Sequence, residues 1–119
     1  MILLVEDDAI SRITFARTLR SYRYGVFEAK DGAEAIALLE HHHPVINLVI
    51  TDLALPRVNG FNLLTNIQTR WPKIPVVMVS GYLSEEAGKA IVGSHVHILE
   101  KPVRPSVLIA LVQRIAPAP

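Results

Sequence analysis

The chain contains no cysteine, so disulfides and thiolate-ligated zinc are excluded. That absence also fits a cytosolic protein. Charge of one sign is equally lacking. Twelve basic residues face eleven acidic ones, for a net charge of +1, which gives no electrostatic drive toward nucleic acid or an anionic membrane. No apolar run approaches the roughly 18 residues of a membrane span, and the opening ILLV (2–5) is too short for a signal-peptide core and is followed at once by acids. Internal repeats and long low-complexity segments are missing too. What remains is a chain of 119 residues, half of them hydrophobic, enough for one well-packed domain. The direct start on a strand and the tail Ala116-Pro117-Ala118-Pro119 read as a domain cut from a longer chain. The domain covers 1–116, and 117–119 begin a linker or tail.

Four short apolar runs each end on a polar residue able to do chemistry. ILLV (2–5) runs into Glu6-Asp7-Asp8, and LVIT (48–51) into Asp52. VVMV (76–79) meets Ser80, and VHIL (96–99) meets Glu100-Lys101-Pro102. Continuous apolar runs bounded by turn signals are the mark of buried parallel strands. A fifth strand is expected at 26–29. Between them the pattern predicts helices at 10–22, 33–40, 61–70, 84–92 and 105–115. In the first of these, Ile13, Ala16, Leu19 and Tyr22 recur at three-residue steps, with Arg12, Arg17 and Arg20 as polar positions. The third strand is expected over 45–51, after His41-His42-His43 and Pro44 close the second helix. Strand–helix alternation implies right-handed crossovers and a doubly wound α/β fold, a flavodoxin-like (βα)5 sandwich with a parallel five-stranded sheet. Order 2-1-3-4-5 puts the topological switch point between the strands that end on Glu6-Asp7 and on Asp52.

Adjacent strand-end acids supply hard oxygen ligands, and Mg²⁺ is held through one or two carboxylates plus phosphate oxygens and waters. Without a cation, Glu6, Asp7 and Asp52 repel one another and raise one another's pKa. An aspartate is also a competent nucleophile toward phosphorus. Phosphoryl transfer asks of a protein little beyond positioning and charge neutralisation. Mg²⁺, Lys101 and the Ser80 hydroxyl can each take one phosphoryl oxygen.

Five stretches, ILLVEDD (2–8), KDGAEAI (30–36), LVITDLALPRVNG (48–60), IPVVMVSGY (74–82) and ILEKPV (98–103), occur in the order and spacing of one family. Over nearly its whole length the chain resembles the receiver domain of two-component response regulators. The resemblance implies that Asp52 is the phosphoacceptor, charged by a histidine kinase or phosphotransfer protein. It implies that Mg²⁺ (or Mn²⁺) sits on Glu6, Asp7, Asp52 and the backbone carbonyl of Ala54. Ser80 and Lys101 become the phosphate-sensing pair, with a cis peptide before Pro102. The family commonly dimerises or docks output partners through its fourth helix, fifth strand and fifth helix, here the face spanning 84–115. Direct contact with nucleic acid or membrane is not expected of this domain.

The departures are specific. Ile98 stands where the family usually has a switch aromatic, so a Tyr or Phe swing at that position is excluded. Leu55-Pro56 replaces Met-Pro, and Asn59 replaces an aspartate. Ala54 is small and leaves the acceptor open, while Tyr82 could partly cover it. Asp8 is read as a cap of the first helix, outside the metal set. The histidine tract is read as a helix C-terminus suited to the dipole, and Trp71 as packing at a helix end. In the last helix, Leu108, Leu111, Val112 and Ile115 are expected inward, and Val107, Ile109 and Ala110 near the surface. Two alternatives frame this reading. A phosphorylation-independent pseudo-receiver predicts loss of the acceptor or the lysine, and both are present. An aspartate-nucleophile phosphatase wants a second Asp two residues after the first, and that position is Ala54.

Overall fold

A computed structural model describes residues 1–54, 60–81 and 95–118. The expected helix at 84–92, Glu85-Glu86 within it, Gly93-Ser94, and the positions Leu55-Pro56, Asn59 and Tyr82 lie outside the described residues. Five strands form one parallel sheet: β1 (Ile2–Val5), β2 (Val26–Ala29), β3 (Leu48–Asp52), β4 (Val76–Ser80) and β5 (Val96–Glu100), in the order β2-β1-β3-β4-β5. Four helices are described: α1 (Ala9–Ser21), α2 (Gly32–His42), α3 (Gly60–Arg70) and α4 (Pro105–Ile115). This is the expected doubly wound architecture and strand order.

Successive strand residues point to opposite faces, and the apolar runs feed two cores accordingly. Leu3, Val5, Val49, Val76 and Met78 pack with Ala35, Leu39, Leu63, Leu64 and Ile67, the inner faces of α2 and α3. Ile2, Leu4, Leu48, Ile50 and Val77 pack on the other side with Ala16, Leu19, Leu108, Ile109 and Val112 of α1 and α4. Both layers use nearly every strand residue, which is why the strands lack polar alternation.

Register then does the positioning. Val5 pairs with Thr51, Asp52 with Val79, and Ser80 with Glu100. Glu6, one residue past β1, is therefore level with Asp52. Lys101, one residue past β5, stands beyond the end of β4.

The helices start where side-chain acceptors meet free N–H groups. Asp8 caps α1 by accepting from Ser11 N–H (3.1 Å) and Ser11 Oγ (2.7 Å), as expected. Asp31 caps α2, accepting from Glu34 N–H at 2.8 Å, while Glu34 accepts from Lys30 N–H at 2.9 Å. His41 and His43 close α2 with Nδ1 2.9 Å from Ala37 O and 3.1 Å from Leu39 O, so two of the three histidines do serve the helix end. Trp71 packs as expected at the end of α3, with the Arg70 guanidinium 4.4 Å from its ring centroid.

Three expectations need correction. Ile13 and Tyr22 do not join the core of α1; they are 49% and 47% exposed. A three-residue step advances only about 300°, so Ile13 and Tyr22, nine residues apart, end up roughly 180° apart, either side of the buried Ala16–Leu19 line. In α4, Ile109 is buried while Val107 and Ala110 are exposed as expected. The helix packs against both the sheet and α1, so its buried arc takes in three positions, Leu108, Ile109 and Val112, with Leu111 and Ile115 half-buried at its margins. Finally, β3 begins at Leu48, because Pro44 sits in a 3₁₀ turn over His43–Val45, closed by Ile46 N–H to His43 O at 3.2 Å.

Candidate functional site

Asp52 lies at the carboxyl end of β3 and is 4% exposed. Its Oδ1 accepts from Ala54 N–H at 3.0 Å, and its Oδ2 is ion-paired with Lys101 Nζ. Lys101 is positioned by its own backbone, whose N–H donates to Ser80 O at 2.8 Å. The Lys101–Pro102 peptide is cis, as expected. Ser80 is buried at the end of β4. Thus the ends of β4 and β5 are tied to one another and, through Lys101, to the carboxylate of β3.

From β1 comes Glu6, buried, and Asp7, exposed. Ligand oxygens of Glu6, Asp7 and Asp52 all lie within 4.8 Å of one another. Among the described residues this is the one convergent set of three or more His, Cys, Asp or Glu groups, so the histidine tract forms no such set. A cavity of ≈ 440 Å³ opens over the site, lined by Glu6, Asp52, Lys101 and Pro102, with Phe15 and Val103 as apolar wall.

The electrostatics are those of an acidic pocket short of positive charge. Burial pushes Glu6 up to about 7, with the Asp52 charge as the next cause; the Asp8 N–H and Lys101 act the other way. The Lys101 ammonium is pushed up chiefly by its hydrogen bond to Asp52. A divalent cation relieves this repulsion, and three converging carboxylate oxygens are the hard donor set Mg²⁺ takes. The residues present fit the ion.

A pH dependence follows. Glu6 titrates near 4.5 in the unfolded chain and near 7 when folded, so the folded state holds the proton more tightly. The associated stability is full below pH 4.5 and lost as pH rises through 7. In metal-free buffer, the unfolding free energy from urea titrations should fall between pH 5 and 8 by of order 2 kcal/mol, taking ~1.4 kcal/mol per unit and discounting for water reaching the pocket. Glu6→Gln should flatten that slope; an unchanged slope in the variant contradicts the assignment.

Two features were not foreseen from the residues alone. Arg12 donates Nη1–H to Glu6 O at 2.8 Å and lies 3.6 Å from Glu28 through Nε, bracing the acidic turn from α1. A helix position one turn after a capping aspartate was its available signal. Ile10 is 77% exposed on the first turn of α1, next in the chain to Ser11, which lines the pocket; no periodicity distinguishes such a residue from a core one.

A parallel α/β domain with a buried strand-end aspartate, a lysine ion-paired to it and two further acids alongside is built for regulated phosphoryl chemistry at a switch-point edge. The chain belongs to the response regulator receiver domain family, whose pattern it matches over residues 2–113. It is thus a receiver domain of two-component signalling, a regulatory phosphoacceptor unit. It is 32% identical over 119 residues to the two-component response regulator ORR11 of Oryza sativa subsp. indica, covering 98% of this chain and 80% of that protein. It is 34% identical over 84 residues to the sensor kinase CckA of Brucella abortus (strain 2308), covering 71% of this chain but only 9% of the kinase. The crystal structure of a CheY-like response regulator receiver domain protein from Methanospirillum hungatei JF-1 superposes with a TM-score of 0.88 at 28% identity, covering 95% of this chain and 90% of that one. Among the described residues, no helix is long and apolar enough to cross a membrane.

Proposed function

We propose that this domain is a phosphorylation-dependent switch in which Asp52 accepts a phosphoryl group from the phosphohistidine of a histidine kinase or phosphotransfer protein. One observation carries the reading. The buried Asp52 carboxylate is held between Lys101 and the Ala54 N–H, with Glu6 and Asp7 within reach of a shared cation. An Asp52 carboxylate oxygen forms the bond to phosphorus as the donor's P–N bond breaks. The electron pair of that bond returns to the donor imidazole, which takes a proton from water. Glu6, Asp7, Asp52 and the backbone carbonyl of Ala54 would hold Mg²⁺ (or Mn²⁺), which when bound supplies neutralisation of the phosphoryl oxygens.

Lys101 keeps its proton throughout and carries its charge from Asp52 to a phosphoryl oxygen. Ser80 supplies a hydroxyl to another. Because the Lys101 N–H is bonded to Ser80 O, displacement at the end of β4 is felt at once at the start of the loop after β5. The signal then passes to the 84–115 face, of which the described part presents the half-exposed Ile98 and Val107, 37% and 49% exposed. That face changes its affinity for a second copy or an output partner. With Ile98 in place of an aromatic, the change is carried by Ser80 and loop displacement.

A protein donor must rest on the rim of the pocket while its phosphohistidine reaches Asp52. Ile10 and Ile13, exposed three residues apart on α1 and so on one face, begin directly after Glu6-Asp7-Asp8 and supply an apolar seat. Two measurements check the function. Intact mass after incubation with phosphoramidate should show one phosphoryl adduct with Mg²⁺ and none with chelator; labelling indifferent to chelator contradicts the metal's part. Ile10→Ser/Ile13→Ser should slow transfer from a phosphorylated phosphotransfer protein by roughly tenfold and leave phosphoramidate labelling unchanged. Equal loss with both donors removes the seat.

A further inference from the structure

A larger cavity, ≈ 1080 Å³, opens at the opposite edge of the sheet, beneath the starts of β1, β3, β4 and β5. Its charge is one-sided. His43, Lys73, His95, His97 and Arg114 line it, and none of its described lining residues is acidic, in a chain whose net charge is only +1. The acids Glu6, Asp7, Asp8 and Asp52 are gathered at the other edge.

The helix dipoles do not account for this excess. The helices run back against the strands, so their negative ends point toward this edge, where cations suit them. His43 meets that need, with Nδ1 3.1 Å from Leu39 O, and Arg114 lies in the last turn of α4. Lys73, His95 and His97 belong to no described helix. Neither Lys73 nor Arg114 is in an ion pair among the described residues. His97 lies in β5 and pairs with Val77, whose side chain belongs to the α1/α4 layer, so His97 faces the side of Arg114. His95 is the turn residue just before β5, its carbonyl accepting from Val76 N–H at 2.8 Å. The remaining wall is mainly apolar, from Ile46, Ile74, Pro75 and Ile115, and also carries Tyr24, Asn47 and Met1, whose ammonium donates to Val45 O and to Asn47 Oδ1.

Small-molecule sites join an apolar wall to a few convergent polar groups, and here those groups include Lys73, Arg114 and three histidines, with no carboxylate side chain among the described lining residues. We propose that this cavity binds a nucleotide, with its phosphates on Lys73, Arg114, His95 and His97 and its base against the isoleucine wall. A flat apolar body with several negative charges matches both halves of the lining. The site is separate from Asp52 and does not depend on its phosphorylation.

The test is a titration of the ¹⁵N-labelled domain with ATP at low salt, in chelator so that no metal links ATP to the acidic edge. Saturable shifts at Lys73, His95, His97 and Arg114, with half-saturation below about 1 mM, are expected. Lys73→Gln/Arg114→Gln should weaken binding roughly tenfold, two exposed charge contacts being removed, and His95→Gln alone should act in the same direction. Both sets change exposed side chains, and an unchanged thermal midpoint verifies the fold. Tripolyphosphate should bind more weakly than ATP, and adenosine more weakly still. Absence of saturable shifts, shifts gathered round Lys101, an affinity indifferent to all three substitutions, or tripolyphosphate binding as tightly as ATP would each overturn the proposal.

Discussion

Asp52→Asn is expected to leave the fold intact and to end phosphoryl uptake, by at least about 10³-fold in rate. The amide is nearly isosteric, and its oxygen can still accept from Ala54 N–H, the 3.0 Å bond that orients the native carboxylate. What it loses is the anionic nucleophile. A second readout belongs to the same change. The Asp52 charge is the second cause, after burial, of the raised Glu6 pKa, so Glu6 should titrate below 7 in the variant when followed by carboxyl NMR. If the Asp52→Asn domain still labels at the wild-type rate, the acceptor is elsewhere. If it loses labelling with no movement of Glu6, the two carboxylates are not neighbours in solution.

Lys101→Ala should slow phosphorylation and dephosphorylation alike by on the order of 10²-fold, the usual effect of removing one preorganised charge from a transferring group. The domain should stay folded, because Lys101 is half exposed and its backbone bond to Ser80 O does not need the side chain. Lys101→Arg should recover only part of the rate. A planar guanidinium does not reproduce a point charge at the end of a flexible stem. Rates measured by quenched intact-mass time courses distinguish these cases. An alanine variant as fast as wild type shows that the ion pair with Asp52 is structural alone.

Much of this site was legible in the residues because of how parallel sheets are buried. Both faces of the sheet are covered, so ILLV, LVIT, VVMV and VHIL had to be continuous apolar runs, and the first polar residue after each marks a strand end. The order 2-1-3-4-5 then brings Glu6-Asp7 beside Asp52, as the pairing of Val5 with Thr51 bears out. Asp8 as a cap and the helix-closing histidines follow from equally local rules, whereas the cis peptide at Pro102 is implied only by the family resemblance.

What could not be read was fixed by packing. Ile13 and Tyr22 look like core residues on a three-residue ruler and are not, because the helix turns at 3.6. Ile109 is buried only because α1 covers that side of α4. Arg12 reaches Glu6 O across the turn between β1 and α1, a contact set by where the helix lies. The basic cavity is the extreme case. Its lysine, arginine and three histidines come from positions 43, 73, 95, 97 and 114, with no shared motif, and only the fold assembles them.

The measurement that bears most directly on the switch is to locate the adduct. Phosphorylate the domain with phosphoramidate and Mg²⁺, reduce it with borohydride, and map it by peptide mass spectrometry. Reduction converts an aspartyl phosphate to homoserine and leaves phosphoserine and phosphohistidine untouched. Homoserine at position 52 and nowhere else is the predicted result. Phosphate found on Ser80, on one of the histidines, or on another carboxylate contradicts the central claim.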